Sequence, residues 1–266
     1  MGDFGQHSWG SPSLILEIIA ASADDAHAAV EGGADRLELC SALALGGLTP
    51  SLGTLREIKR TMDVPVMAMV RPREGGMSYS EGEFAAMLDD AVLLIENGAD
   101  GVVFGILTPD SELDLPRCGQ FVYQVTRAAG SRPVEKVFHR AFDVVADPAT
   151  AIEQLIDLGV TRILTSGRAP EAVNGIAEIR SYVEAARGRI QILPGGGITR
   201  KNVIDIVERT GVNQVHLYVT EGREDRSTLA NPAIYFGAHV PSSEVEVRQV
   251  SRAEVARIRE LLDGGS

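Results

Sequence analysis

Hydrophobic positions along this chain follow two alternating rhythms. Short, mostly apolar runs are separated by longer stretches in which apolar residues recur every three or four positions, with acidic residues filling the other side. The short runs predict strands at Leu14–Ala20, Arg36–Cys40, Val64–Val70, Gly101–Gly105, Glu135–His139, Arg162–Thr165, Ile190–Leu193 and Gln214–Tyr218. The longer stretches predict helices, among them Ala23–Gly32, Glu81–Asn97, Pro148–Leu158 and Thr199–Thr210. Ser80 followed by Glu83 has the spacing of a capping box. Asp147 before Pro148 pairs a cap with a first helical position, and Thr199 fills the cap role for the last of these helices. Four times a helical stretch stops at a glycine and a strand follows: Gly33-Ala34-Asp35, Gly98-Ala99-Asp100, Gly159-Val160-Thr161 and Gly211-Val212-Asn213. These junctions lie about sixty residues apart, with a further strand in each interval. A strand–helix–strand–helix unit used four times predicts an α/β fold, a single parallel (β/α)8 TIM barrel.

After about residue 220 the pattern changes. Glu221–Arg226 reads as a charged loop, Glu244–Val250 alternates like an edge strand, and Arg252–Leu262 reads as a terminal helix. These form a short C-terminal extension, so residues 14–266 are read as barrel plus extension and residues 1–13 as a flexible polar tail. That tail lacks a basic region followed by an apolar one and does not read as a secretion signal. The length of 266 residues suits one barrel, and 44% hydrophobic residues suffice for a large core. A net charge of −12 argues against nucleic-acid and anionic-membrane partners. No apolar run approaches the length of a bilayer span. The two cysteines, Cys40 and Cys118, form no disulfide framework, and a reducing cytoplasm is the expected location.

In a parallel barrel, chemistry gathers at the carboxyl ends of the strands, on side chains that alternate inward. Polar residues inside otherwise apolar strands therefore stand out. Glu17 interrupts the first strand, Glu38 and Cys40 share a face of the second, His139 closes the fifth and His216 lies in the eighth. A buried carboxylate must be paired, protonated, metal-bound or wet. One reading makes Glu17, Glu38, His139 and His216 an acid–base or metal-binding centre; another makes the carboxylates ion-pair partners of Arg36, Arg71 or Arg140. Arg71, Arg73, Arg140, Arg168 and Arg200 follow strand ends, and arginine forks recognise carboxylate or phosphate. Arg71, Arg73 and Arg140 are the expected substrate-orienting set. Gly195, Gly196 and Gly197 precede a helix, where barrels often hold phosphate on backbone N–H groups. The acids of Glu221–Asp225 oppose an anion there. Asp143 is expected to fix the orientation of His139 or Arg140, and Ser166 follows the sixth strand without an evident base. No nucleotide-cofactor motif is present. Carboxylate and imidazole ligands would suit a divalent metal such as zinc or manganese.

Several motifs are jointly familiar: Glu38-Leu-Cys-Ser41, Gly46-Gly-Leu-Thr-Pro-Ser51, Arg71-Pro-Arg73 with Tyr79-Ser80, Leu107-Thr-Pro-Asp110, His139-Arg-Ala-Phe-Asp143, Leu164-Thr-Ser-Gly167 and Pro194-Gly-Gly-Gly-Ile198. In this order, over roughly residues 14–262, they closely resemble the CutC family of copper homeostasis proteins. The resemblance implies an α/β barrel, usually cytoplasmic and forming dimers or larger oligomers, associated with copper tolerance and with copper(I) binding through cysteines. The first strand of the family commonly carries Glu-Val-Cys; here it is Glu17-Ile18-Ile19, leaving Cys40 as the copper candidate. Copper(I) prefers thiolate and thioether ligands, so one cysteine with methionines distant in sequence implies weak binding. The alternative function is a barrel enzyme acting on a small anionic or sugar-like molecule through the Glu/His centre. The expected partners are a metal ion or small molecule and a second copy of the chain.

Overall fold

The structure is a computed structural model, and it describes residues 14–231, 233–234 and 246–264. Eight parallel strands alternate with helices. The order along the chain is β1 (Ile15–Ala20), α1 (Ala23–Glu31), β2 (Arg36–Leu39), α2 (Leu52–Thr61), β3 (Val66–Met69), α3 (Glu81–Glu96), β4 (Gly101–Phe104), α4 (Leu115–Ala129), β5 (Glu135–Phe138), α5 (Pro148–Asp157), β6 (Arg162–Thr165), α6 (Ile176–Ala186), β7 (Gln191–Pro194), α7 (Val203–Thr210) and β8 (Gln214–Leu217). Neighbours in the sheet run β7-β6-β5-β4-β3-β2-β1-β8. A single parallel bridge, Gly195 to His216, links the two ends and closes the barrel.

Local chemistry explains these elements. Ser22, Ser51 and Ser80 accept hydrogen bonds from the first turns of α1, α2 and α3, and Ser80 and Glu83 complete the capping box. Asp147 caps α5 with Pro148 at its start. The helix expected from Thr199 begins later, at Val203 with Asn202 at its N-cap. Thr199 and Asn202 instead tie one another into the preceding turn, where the Thr199 N–H donates to Asn202 Oδ1 at 2.7 Å.

Strand alternation sorts the buried residues into two separate clusters. The outer one packs strand residues such as Leu16, Ile18, Leu37, Leu39, Phe104 and Val215 against the helices. The inner one, Cys40, Met67, Met69, Val103, Val137, Leu164 and Leu193, fills the barrel. Strands covered on both sides can therefore be apolar throughout.

The region after β8 departs from expectation. Most of the predicted charged loop is β9 (Thr220–Glu224), paired antiparallel with β10 (Glu246–Val250). Residues 244–245 of the expected edge strand, like the tail 1–13, lie outside the described residues. Alternation of charged residues at the surface conceals a two-stranded ribbon, because neither face of it needs to be apolar. The ribbon is fastened to the barrel by Asp25, whose carboxylate accepts from the N–H groups of Ala21 and Val250 at 3.0 and 2.8 Å. Ser251 donates its hydroxyl to Glu221 at 2.7 Å. The terminal helix α8 (Arg252–Leu262) then packs against α1.

Phe104 anchors the outer core, stacked on Phe121 of α4 at 4.4 Å between ring centroids and edge-on to Phe138 at 5.5 Å. Phe104→Ala is expected to lower the unfolding free energy by about 3–5 kcal/mol, the cost of removing a buried aromatic ring. Urea denaturation followed by circular dichroism measures it.

Candidate functional site

The inward side chains of the eight strands form layers. At the amino-terminal end lie Arg36, Gln214, Gln191, Arg162 and Glu135. Arg36 donates to Gln214 at 2.8 Å, Gln214 to Gln191 at 3.2 Å, and Arg162 to Gln191 at 3.0 Å. Arg162 also pairs with Glu135 at 2.6 Å. One layer up, Glu17 forms a buried ion pair with Arg36 and a 2.7 Å hydrogen bond with Nδ1 of His216. The ion-pair reading of Glu17 with Arg36 thus describes its position, and the same carboxylate also orients an imidazole. His216 Nε2 lies 3.7 Å from Glu38 Oε2, and Cys40 directs its S–H to the same oxygen at 3.4 Å.

The charge states follow from burial and neighbours. Burial pushes Glu17 toward protonation, but Arg36 and His216 outweigh it and hold the carboxylate well below the usual range. Burial raises Glu38, with His216 pulling against it. Burial would neutralise His216, but Glu38 and Glu17 reverse this and keep it above an ordinary histidine. Burial and the field of Glu38 push the Cys40 thiol well above its normal value. Ligand atoms of Glu17, Glu38 and His216 lie within 4.8 Å of one another, close enough for one cation, although Arg36 already occupies Glu17.

Above this layer opens a cavity of about 770 Å³, walled by Ile19, Glu38, Cys40, Met69, Arg71, Met77, His139, Arg140, Gly196, Gly197, His216 and Arg248, among others. His139 sits here, apart from the Glu17–His216–Glu38 cluster by hydrogen bonding: its Nδ1 accepts from the Ala141 N–H at 3.0 Å. Burial, then the charge of Arg71, lower it to about 3. Two glycines create room for the imidazoles. A Cβ on Gly105 would meet His139 Cε1 at 2.3 Å, and one on Gly195 would meet His216 Cδ2 at 2.9 Å.

The expected substrate-binding residues separate accordingly. Arg71 and Arg140 reach the cavity, with Gly196 and Gly197. Arg73 does not line it. Its guanidinium pairs with Glu83 at 2.5 Å and donates to the carbonyls of Glu74, Gly76 and Ser78, so it closes a loop. Gly195 packs beneath the His216 ring, and its N–H donates to Thr165 O, leaving nothing to offer a phosphate. Asp143 binds Arg140 Nε at 2.8 Å and accepts from Thr165, Ser166 and Arg168, whereas His139 is oriented by Ala141. Ser166 is locked between Asp143 and Arg140. Arg168 donates to Val145 O, and Arg200 pairs with Glu254. Met69 and Met77, distant in sequence, share the cavity with Cys40. Met69 has the inward parity of Met67 and Arg71 and was legible on that ground; Met77 sits in a loop and carried no such signal.

A parallel barrel with a soft-donor, imidazole and arginine mouth defines the class. The chain belongs to the CutC family, whose model matches residues 14–221. It is 51% identical to a family protein CutC of Treponema denticola over 237 residues, 88% of this chain and 94% of that one. It is 39% identical to the human protein named copper homeostasis protein cutC homolog over 248 residues, 93% of this chain and 88% of that one. Among solved structures, CutC from Streptococcus agalactiae superposes with a TM-score of 0.70 at 35% identity, covering 76% of this chain and 97% of that one. No described helix is long and apolar enough to cross a membrane.

Glu17→Gln leaves Arg36 buried without its carboxylate and is expected to cost about 3–5 kcal/mol of stability, read from urea midpoints. His139 has its folded value lowered, so between about 6.5 and 3 the unfolded chain binds a proton that the folded chain does not. Its share of stability is complete above about 6.5 and is lost as the pH falls through that window. His139→Asn is expected to flatten that acid limb by about one proton's slope in urea unfolding at a series of pH values.

Proposed function

We propose that this protein acts in copper homeostasis by taking copper(I) as cargo at the barrel mouth. One observation carries the reading: the thiol of Cys40 and the thioethers of Met69 and Met77 line a single cavity, in a chain with a human relative named for copper homeostasis. Copper(I) favours such soft donors. The thiol must lose its proton to bind metal, and burial together with Glu38, which accepts that S–H at 3.4 Å, opposes the thiolate and adds to the weakness of the site. Ile19 stands in the same cavity wall, where the family resemblance implies a cysteine. One thiolate with thioether support gives a loosely held ion, suited to exchange. In this reading the protein works in the reducing cytoplasm as a dimer or larger oligomer, as the family resemblance implies.

Copper(I) titration against a colourimetric copper(I) chelator tests the reading. The wild-type chain is expected to yield its copper to the chelator readily, Cys40→Ser to hold less, and Ile19→Cys to retain about one equivalent at least tenfold more tightly. Equal copper retention by wild type and Cys40→Ser, or no gain from Ile19→Cys, would sink it.

A further inference from the structure

Two buried proton donors in the cavity wall have no part in copper binding. Arg71 is 6% exposed. Its Nη1 donates to the carbonyls of Leu45 and Gly47 at 3.0 and 3.1 Å, and its Nη2 to Gly75 O at 3.0 Å. Its Nε is buried without a partner. The other two buried arginines each have a carboxylate: Arg36 has Glu17, and Arg162 has Glu135. Among the described residues, no carboxylate forms an ion pair with Arg71. A buried guanidinium without a carboxylate partner keeps its charge uncompensated, which is costly unless a counter-ion arrives.

The second donor is His139, 4% exposed. Because Nδ1 accepts from the Ala141 N–H, the ring proton of the neutral imidazole lies on Nε2. That Nε2 is also buried without a partner. The ring is held over Gly105, where any Cβ would collide with it, so the N–H direction is fixed before a ligand enters. Arg140 stands in the same wall, its Nε held by Asp143 and its Nη2 by Ser166. The one carboxyl in the wall, Glu38, is compensated by His216 and the Cys40 S–H.

We propose that the mouth of this barrel binds a small oxyanion, carried as a phosphate or a carboxylate, which accepts hydrogen bonds from Nε–H of Arg71 and Nε2–H of His139. Both groups are preorganised, and charge-assisted bonds of this kind are the strong ones. A cavity of about 770 Å³ leaves room for the rest of a metabolite-sized molecule. The site is independent of the copper reading, since it uses neither sulfur nor metal.

The test uses metal-free full-length protein in calorimetry and thermal unfolding with inorganic phosphate and, separately, pyruvate. At about 10 mM, at least one of them is expected to raise the melting temperature and to bind one-to-one. A larger effect of phosphate assigns a phosphate-bearing ligand, and a larger effect of pyruvate a carboxylate. His139→Asn keeps an acceptor for the Ala141 N–H and deletes Nε2–H; Arg71→Lys keeps the charge and deletes Nε–H. Each is expected to weaken binding about tenfold, the loss of one charge-assisted bond. Arg200→Ala is expected to bind as wild type. If Arg71→Lys does not fold, His139→Asn alone decides. No stabilisation by either anion, or stabilisation undiminished in His139→Asn, overturns the proposal.

Discussion

The buried pair of Glu17 and Arg36 is the interaction on which the site depends. A charged carboxylate in the barrel interior survives only because a guanidinium from the neighbouring strand reaches it. That pair sits at one end of a polar belt running through Gln214, Gln191 and Arg162 to Glu135. The belt spends hydrogen bonds where most barrels place apolar layers. In return, the second oxygen of Glu17 grips His216 Nδ1, and the other ring nitrogen is left facing Glu38 and the mouth.

The two ends of the interior therefore differ in character. Below, each charged side chain of the belt meets an opposite charge or an amide. Above, sulfur side chains, His139 and Arg71 line the cavity, and His139 Nε2 and Arg71 Nε are buried without partners. The inner apolar residues Met67, Val103, Val137, Leu164 and Leu193 pack together with Cys40 and Met69 as one buried cluster inside the barrel. Copper(I) and an oxyanion would meet different parts of this upper wall, the sulfurs in one case and nitrogen donors in the other.

Much of the barrel was legible because its signals are local. Glycines at the helix ends, caps such as Ser80 and Asp147, and uninterrupted apolar strands all act within a few residues. Strand parity also placed Glu17, Glu38, Cys40, His139 and His216 inside. What parity could not give was partnership. Whether Arg73 turns to a pocket or to Glu83 depends on how the loop after β3 folds back onto α3. The ribbon after β8 was missed for a related reason: its pairing partner lies more than twenty residues away, and its outer faces are charged. The role of Gly195 was misread because a glycine needed for a close approach looks, in sequence, like one needed for an anion.

The bridge between Gly195 and His216 is the mechanical weak point of the cylinder. Every other junction in the barrel is a ladder of two or more residue pairs, whereas this one is a single pair. Strain or thermal agitation parts a cylinder first at its weakest seam. Here the seam runs through the backbone of the residue whose imidazole faces Glu38. Opening of the cylinder at that seam would carry the imidazole with it. A ligand that bridges the mouth would act as a rivet, and its departure would loosen the whole hoop.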